Sequence, residues 1–236
     1  PLIKRGVLTA SEVEVLRDPY AAAVSICPPD DNILTPEQTE AAKKLSELAA
    51  SGEPRAALLF GVTGSGKTRV IKAVIDSVVA SGRQAIVLVP EIALTPQTVG
   101  FFRAFYGSRV AVLHSQLSAG ERYDAWRRIR AGDVDVCVGT RSAVFAPFPN
   151  LGLIVIDEEQ EHTYKSEMSP RYHARDVARF RCGKNNALLL LSSATPSVES
   201  FSRAQRGIYT LVELTQRYGD AVLPRGLIVD MREYTR

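Results

Sequence analysis

The glycine-rich stretch GVTGSGKT at residues 61–68 constrains the fold of this chain more than any other feature. It lies between an apolar run, Ala57 to Phe60, and an amphipathic segment, Thr68 to Ala80, so it joins a predicted strand to a predicted helix. The glycines let the backbone turn its N–H groups toward one point, and the start of the helix adds its positive end there. The pattern predicts a phosphate-binding loop, and the flanking strand and helix disfavour a chance glycine-rich turn. The residues predicted to contact phosphate are Gly61, Thr63, Gly64, Ser65, Gly66, Lys67 and Thr68.

Short apolar runs rich in β-branched residues recur along the chain and alternate with amphipathic segments. Such runs are typical of buried parallel strands, and their alternation with helices predicts an α/β fold, a mostly parallel sheet with helices on both faces. Two helix starts carry capping-box patterns, TPEQ at 35–38 and SAGE at 118–121. Helical spacing of Trp126 from Tyr123 and Ile129 predicts that Trp126 packs in the core. The predicted strands are Ala57 to Phe60, Ala85 to Val89, Val110 to Leu113, Val134 to Val138, Leu153 to Ile156 and Ala187 to Leu191.

Composition excludes several classes of protein. A length of 236 residues with 45% hydrophobic residues can bury a full globular core. The net charge of +3 permits an anionic partner without indicating one. Cys27, Cys137 and Cys182 lie far apart and form no CxxC pair, so they predict neither a disulfide framework nor a zinc site. No apolar stretch is long enough to span a bilayer, and we expect a cytoplasmic protein without membrane contact.

Acidic residues follow the apolar run Leu153 to Ile156. A carboxylate at the end of a strand can hold a metal ion opposite a phosphate loop, so Asp157 and the Thr68 hydroxyl are expected to hold Mg²⁺. Lys67 would reach the β- and γ-phosphates of ATP, and Glu158 would orient and deprotonate the attacking water. An isolated acidic cluster after a strand is most often a solvated loop. The phosphate loop favours the metal-binding and catalytic interpretation.

Three short sequences together resemble motifs I, II and III of superfamily-two helicases: GVTGSGKT at 61–68, DEEQ at 157–160 and SAT at 193–195. Longer stretches narrow the resemblance to the PriA family of bacterial replication-restart helicases. They are LVPEIALTPQT at 88–98, LHSQLS at 113–118, GTRSAVFAPF at 139–148 and RYHARDVA at 171–178. The resemblance runs from about Leu34 to the end of the chain. It implies a RecA-like P-loop NTPase lobe that uses ATP and Mg²⁺, within a DNA-dependent ATPase and 3′–5′ DNA helicase acting in replication restart and primosome assembly at stalled forks.

The same resemblance implies roles for four further residues. Motif III of the family links the nucleotide site to movement of a second lobe, so Gln160, Ser193 and Thr195 are expected to be coupling residues. Gln38 would read the adenine edge, although its position in the capping box equally allows it to cap its helix only. Where the family usually has histidine, this chain has Gln160, which forms hydrogen bonds but cannot carry a proton charge.

Two stretches resemble motifs Ia and Ib, which hold the backbone of single-stranded DNA in this family. Thr95 opens a predicted helix whose free N–H groups can bind a phosphate. Thr140 and Arg141 place a hydroxyl and a guanidinium group after a predicted strand. Contacts of this kind would position DNA without reading its sequence.

Residues 161–175 resemble the aromatic-rich loop by which the family senses DNA. Aromatic rings stack on unpaired bases of any sequence, and neighbouring cations neutralise phosphates. Arg171, Arg175 and Arg179 fall at helical spacing, so a solvated basic helix face is the alternative. The candidate DNA-sensing residues are Tyr164, Lys165, Arg171, Tyr172 and His173.

The predicted organisation has a linker or the tail of a preceding domain at residues 1–32, the ATP-binding lobe at 33–222, and the start of a link to a second lobe at 223–236. By resemblance, the arginine finger and a zinc-binding insertion lie outside this chain, so we expect it to need no zinc and to hydrolyse ATP weakly by itself. Expected partners are single-stranded or forked DNA, primosome proteins and single-stranded-DNA-binding protein, near the bacterial nucleoid. The alternatives are another superfamily-two translocase of repair or RNA, and a non-hydrolysing ATP- or DNA-binding module.

Overall fold

The computed structural model describes Arg17, Pro19, Tyr20 and residues 33–217. The predicted linker at 1–32, apart from those three residues, and the predicted link at 223–236 lie outside the described residues. Among the residues described, no helix is both long and apolar enough to cross a membrane.

Residues 33–217 form seven strands and six α-helices joined by short turns. The strands are β1 Arg55–Gly61, β2 Gln84–Leu88, β3 Val110–Leu113, β4 Val136–Gly139, β5 Leu151–Asp157, β6 Leu188–Ser193 and β7 Thr210–Leu214. The helices are α1 Pro36–Ala50, α2 Lys67–Ala80, α3 Pro96–Tyr106, α4 Ala119–Ala131, α5 Ala174–Asn185 and α6 Val198–Gln205. Short 3₁₀ turns lie at Glu91–Ala93, Gly107–Arg109, Arg141–Phe145 and His162–Tyr164.

All seven strands of the described region pair in parallel, in the order β3-β4-β2-β5-β6-β1-β7. Strand β6 therefore lies between β1, which leads into the phosphate loop, and β5, which leads into the acids. The register places Ser193 beside Phe60 and Ser192 beside Asp157. Because parallel strands end at the same edge of a sheet, the predicted nucleotide and coupling motifs converge there.

Alternating side chains of the sheet face two different helix layers. Leu59, Val87 and Val155 pack in one buried cluster with residues of α1, α2 and α3. Leu58 and Ile86 belong to the other cluster, which includes residues of α4, α5 and α6. A fully buried leucine or isoleucine contributes about 1.5–3 kcal/mol relative to an exposed one, so both faces stabilise the sheet. The predicted α/β class with helices on both faces is confirmed.

Strand predictions agree with the structure for the six strands β1 to β6, with shifts of one or two residues at their ends. Strand β7 was not predicted, because it lies at the edge of the sheet and buries only Val212 and Leu214, while Glu213 between them is exposed. Its short alternating pattern differs from the fully apolar runs of the central strands.

Both predicted capping boxes are confirmed. The Thr35 hydroxyl accepts from the Gln38 backbone N–H at 3.2 Å, and Gln38 Oε1 accepts from the Thr35 N–H at 3.1 Å. The Ser118 hydroxyl and the Glu121 carboxylate make the same reciprocal pair at the start of α4, at 3.3 and 2.8 Å. Each cap satisfies two polar groups that a helix start otherwise leaves open.

The expectation that Trp126 packs in the core is wrong. Its surface is 38% exposed, and the Arg130 guanidinium lies over its ring, with Cζ 5.3 Å from the centroid. A helix turns about 100° per residue, so steps of three residues drift by about 60° each. Of the three residues at this spacing, only Ile129 faces the sheet and is fully buried.

Candidate nucleotide-binding site

The phosphate loop leaves β1 at Gly61 and enters α2 at Lys67. Gly66 caps α2 with φ 82°, in the left-handed region. A Cβ atom there would lie 2.3 Å from Gln38 Nε2, so both the backbone conformation and the packing require glycine. At Gly61 a Cβ atom would lie 2.6 Å from Ser65 Oγ. A Cβ atom at either position would displace a polar side chain that packs against the loop.

Polar groups of the loop surround an open cleft. Lys67 Nζ donates to the Gly61 carbonyl at 2.8 Å, which holds the ammonium group at the mouth of the loop. Ser65 is buried, and its Oγ has no hydrogen-bond partner among the described residues. Buried hydroxyl groups are normally paired, so Ser65 Oγ suits a ligand atom entering the loop. With the N-terminus of α2 these groups fit a phosphate chain. The cleft is lined by Thr63, Gly64, Gly66, Lys67, Thr68, Arg69, Asp157 and Glu158.

Gln38 connects the start of α1 to the phosphate loop. Its side chain is buried, and Nε2 donates to the Ser65 carbonyl at 2.9 Å while Oε1 completes the capping box. The capping role that the sequence allowed is therefore present, and the same amide also fixes the loop. Reading of adenine by the remaining amide proton stays a prediction.

Asp157 ends strand β5 and faces the same cleft as Thr68. Its Oδ1 accepts from Ser192 Oγ at 2.8 Å. Burial raises the pKa of Asp157, and the hydrogen bond from Ser192 opposes this. A carboxylate poorly solvated by water is well suited to hold a cation. Thr68 and Asp157 line the same cleft, and their role as a pair of Mg²⁺ ligands stays a prediction.

A chain of three hydrogen bonds, the coupling chain, joins the acids to the end of β6. Gln160 Nε2 donates to Glu158 Oε2 at 2.9 Å, and Gln160 Oε1 accepts from Ser193 Oγ at 2.6 Å. Ser193 Oγ in turn accepts from the Thr195 N–H at 2.8 Å. Glu158 has φ 46°, an uncommon conformation outside glycine that this bonding supports. The predicted coupling residues therefore touch one another and the predicted catalytic acid.

Glu159 is a site residue that sequence reasoning missed. Its side chain is 0% exposed, and its carboxylate accepts from Arg175 Nη1 at 3.2 Å, the Ser197 N–H at 2.7 Å and Ser200 Oγ at 2.9 Å. This carboxylate ties the acidic segment to the starts of α5 and α6. In the sequence Glu159 is only one acid among three, and its partners depend on packing that local spacing does not encode.

Tyr164 lies in the core, not on the DNA-facing surface that stacking would require. It is 1% exposed, and its hydroxyl lies 2.6 Å from the Asp157 carbonyl and 3.1 Å from the Leu88 carbonyl. One hydroxyl proton is shared between the two carbonyls. Burial raises the pKa of Tyr164, so the proton is retained. The structure contradicts base stacking by this ring and places it as a brace between the ends of β2 and β5.

The 165–173 loop carries the other predicted DNA-sensing residues. A bridge between Lys165 and His173 and a bond from the Ser166 N–H to the Tyr172 carbonyl, 2.7 Å, close it. Lys165 and Arg171 are exposed and Tyr172 is half-buried. His173 caps α5 through Nδ1, and its pKa is lowered, mainly by burial and then by a neighbouring arginine. The lowered pKa favours the neutral form of the His173 ring, and a role of His173 in DNA sensing stays a prediction.

The three arginines at helical spacing do not share one face. Arg171 precedes α5 and is exposed, Arg179 is exposed on α5, and Arg175 turns inward to Glu159. The alternative interpretation, a solvated basic helix face, therefore does not apply to Arg175.

Thr95, Thr140 and Arg141 each have a structural contact. The Thr95 hydroxyl caps α3 by accepting from the Thr98 N–H at 3.2 Å, and Thr140 is buried after β4. Arg141 Nη1 donates to the Thr163 carbonyl at 3.0 Å and also to the Lys165 carbonyl. Arg141 thereby ties the turn after β4 to the base of the 165–173 loop. DNA contacts by these residues stay predictions.

The chain is similar in sequence to known helicases. The family model described as DEAD/DEAH box helicase matches residues 35–204. The Replication restart protein PriA of Bacillus subtilis (strain 168) is 49% identical over 235 residues, covering 100% of this chain and 29% of that protein. PriA of Synechocystis sp. is 42% identical over 236 residues, covering 98% of this chain and 28% of that protein. The resemblance predicted from the sequence is confirmed, and the chain spans under a third of the length of these relatives.

Solved structures support the same fold. RecG bound to a three-way DNA junction is similar with a TM-score of 0.59 and 27% identity, covering 79% of this chain and 24% of that one. The helicase domain of Pyrococcus furiosus Hef gives a TM-score of 0.53 at 20% identity, covering 75% of this chain and 38% of that one. The RecA-like lobe expected from the resemblance is thus confirmed.

Proposed function

The chain belongs to the DEAD/DEAH box helicase family, and from this premise we propose that it is the ATP-binding lobe of an ATP-dependent 3′–5′ DNA helicase of the replication-restart type. The similarity to PriA along the whole chain supports the restart assignment over other members of the family. As a part of such a protein, this lobe would bind and position ATP, while unwinding belongs to the complete motor.

One observation carries the proposal: the coupling chain connects the predicted catalytic acid to the end of β6 beside the phosphate loop. A simple nucleotide-binding module needs the loop and a metal-side acid only. A motor also needs a contact through which the state of the phosphate site alters another part of the protein. Gln160 supplies this contact, because it bonds to Glu158 and to Ser193 at once.

The positions of the individual residues support the following proposed roles. Lys67 and the backbone of the phosphate loop would bind the phosphates of ATP. Thr68 and Asp157 would hold Mg²⁺, which neutralises charge on the phosphate oxygens when bound. Glu158 would orient the attacking water and receive its proton. Ser192 positions Asp157 by hydrogen bonding.

We further propose single-stranded or forked DNA as the nucleic-acid partner. The exposed cations Lys165 and Arg171 support this, as does the DNA junction named with RecG. Primosome proteins and single-stranded-DNA-binding protein are proposed partners of the complete protein, at the nucleoid in the bacterial cytoplasm. The zinc of the family belongs, in this proposal, to the part of the protein beyond this lobe.

Nucleotide binding tests the proposal, because it needs only residues of this lobe. The chain is titrated with a fluorescent ATP analogue and Mg²⁺, and binding in the micromolar range is expected. Lys67→Ala should abolish it, whereas Lys43→Ala, at an exposed position on α1, should not. Glu158→Gln should still bind nucleotide. Equal binding by wild type and Lys67→Ala would refute the assignment of the phosphate site.

A second candidate function, a translocase of branched DNA in repair or recombination, is favoured by the structural similarity to RecG. Comparison of forked DNA with a three-way junction and with RNA, each added to the nucleotide titration, separates the candidates. A preference for forks supports replication restart, and a preference for RNA contradicts both DNA assignments.

A further inference from the structure

A second cavity adjoins the nucleotide cleft. Thr68 and Asp157 line both spaces, and otherwise different side chains of the described residues line each of them. The cavity has a volume of about 320 Å³ and lies between α2, the end of β2 and the start of α3. Pockets that bind small molecules in proteins start at about 300 Å³, so this cavity is large enough to hold a ligand.

The walls of this cavity are mostly apolar. Ile71 of α2 and Val87 of β2 are buried, as is Phe102 of α3. The Phe101 ring packs edge-to-face on Phe102, with the ring centroids 5.4 Å apart. An apolar cavity of about 150 Å³ is sufficient to bind benzene. The present cavity has about twice that volume, so it has room for a bicyclic aromatic ring with a short side chain.

Contacts outside the cavity hold its two helices in place. Near the end of α3 the Tyr106 hydroxyl donates to Asp76 Oδ1 of α2 at 2.7 Å. Lys72 Nζ donates to Asp76 Oδ2 at 2.7 Å and lies 4.1 Å from the centroid of the Phe105 ring. These contacts fix the spacing of α2 and α3, so the walls exist before a ligand arrives. Preorganisation of this kind lowers the entropic cost of binding.

Asp157 is the one charged residue among the described residues that line the cavity. It is half-buried, and the apolar walls limit the access of water to it. A carboxylate in such a place attracts a cation and repels an anion more strongly than it does in water. Thr68 and Thr98 add hydroxyl groups to the lining. The cavity therefore favours a ligand with an apolar ring and one positive charge, and it disfavours a second nucleotide.

We propose that this cavity binds a small aromatic amine, with its ring beside Phe101 and Phe102 and its ammonium group on Asp157. Binding of the amine needs neither DNA nor a second lobe, and its inhibitory effect rests on the proposed nucleotide site. Asp157 is also the proposed Mg²⁺ ligand, so the amine and the metal ion would compete for one carboxylate. The bound amine would therefore weaken binding of the magnesium–nucleotide complex, and the cavity would be an inhibitory effector site.

Fluorine NMR with 5-fluorotryptamine tests the proposal on the complete 236-residue chain, without Mg²⁺ or nucleotide. A ligand of this size is expected to bind with a dissociation constant of about 1 mM or lower. 5-Fluoroindole-3-propionic acid carries the same ring with a carboxylate in place of the ammonium group, so it should bind at least about tenfold more weakly. Equal affinity for the two compounds, or no binding of the amine, overturns the proposal.

Two variants locate the bound amine. Ala93 lines the cavity, so Ala93→Leu should fill part of it and weaken amine binding at least about tenfold. Ala50→Leu, at an exposed position at the end of α1, is the matched control and should bind the amine as wild type does. Asp157→Asn should bring the affinities for the amine and the acid together, and this comparison still applies if circular dichroism shows that Ala93→Leu is unfolded. Unchanged amine binding in folded Ala93→Leu, or an unchanged preference for the amine in Asp157→Asn, contradicts the proposed position of the ligand.

Titration with the fluorescent ATP analogue and Mg²⁺ tests the inhibitory effect. 5-Fluorotryptamine at about ten times its dissociation constant should lower the nucleotide affinity of wild type about tenfold, because the two ligands exclude each other. An unchanged nucleotide affinity would overturn the effector role. Wild type that binds the amine but not the nucleotide would refute the proposed function alone, whereas wild type that binds the nucleotide but not the amine would overturn this inference alone.

Discussion

Replacement of Glu159 by alanine is expected to destabilise the lobe far more than its single charge suggests. The change removes the acceptor for Arg175 Nη1, the Ser197 N–H and Ser200 Oγ. Breaking a buried ion pair by removing one partner costs about 3–5 kcal/mol. The Arg175 side chain keeps 18% exposure, so water can partly solvate its charge, and we expect about 3 kcal/mol.

Urea denaturation followed by circular dichroism measures this cost as a change in the free energy of unfolding. Glu53→Ala is the matched control, because Glu53 pairs with Arg55 on the surface and an exposed pair contributes about 0–1 kcal/mol. A loss below about 1 kcal/mol in Glu159→Ala, equal to that of the control, would show that the buried carboxylate does not connect these segments in solution.

Three further predictions concern other buried groups. Ser193→Ala breaks the coupling chain, so it should leave nucleotide affinity within about twofold but abolish the change in that affinity that single-stranded DNA causes. Nucleotide titration with and without an oligonucleotide measures this change. An undiminished change would contradict coupling through the Ser193 hydroxyl. Tyr164→Phe should lower the free energy of unfolding by about 1–3 kcal/mol in urea, since two strand-end carbonyls lose their donor; an unchanged midpoint would show that the brace is dispensable. Burial raises the pKa of Cys137 and of Cys182 to about 12, so in a Cys27→Ser variant neither thiol should react with a disulfide reagent at pH 8 until urea is added. Unfolded thiols have a pKa of about 8.5, so the contribution of these thiols to stability is present below that pH and is lost as the pH rises from there toward about 12. Rapid labelling of the folded variant would disprove their burial.

Local pattern was sufficient for much of the fold. The phosphate loop, six strands and both capping boxes depend on interactions within a few residues or on runs that are apolar throughout, and these are visible in the sequence. Strand order is different, because pairing between parallel strands connects residues far apart in the chain. The position of β6 beside both Phe60 and Asp157 could therefore not be read from spacing.

The sequence also did not predict which side chains outside helices and strands are buried. Tyr164 stands among polar residues, and only the three-dimensional structure shows that its ring enters the core. Arg175 likewise has the spacing of a surface cation, yet it bonds to a buried carboxylate. In both cases tertiary contacts decide a position for which local sequence favoured the surface. Phe145 is the converse, an apolar residue that the fold leaves in water.

Strand β1 has as its two neighbours β6 and β7, the last two strands of the part of the chain that the structure describes. During synthesis β1 therefore leaves the ribosome with both edges unpaired, and it stays unpaired until β6 and β7 have been synthesised. Strands β2, β3, β4 and β5 can pair with one another before that point. An unpaired apolar strand is prone to pair with other chains, so a truncated or stalled translation product of this protein exposes its nucleotide-binding strand to aggregation. The arrangement also makes the phosphate site an all-or-none property of the finished lobe: a chain released before residue 188 has the loop sequence but lacks the strand that joins it to the acids.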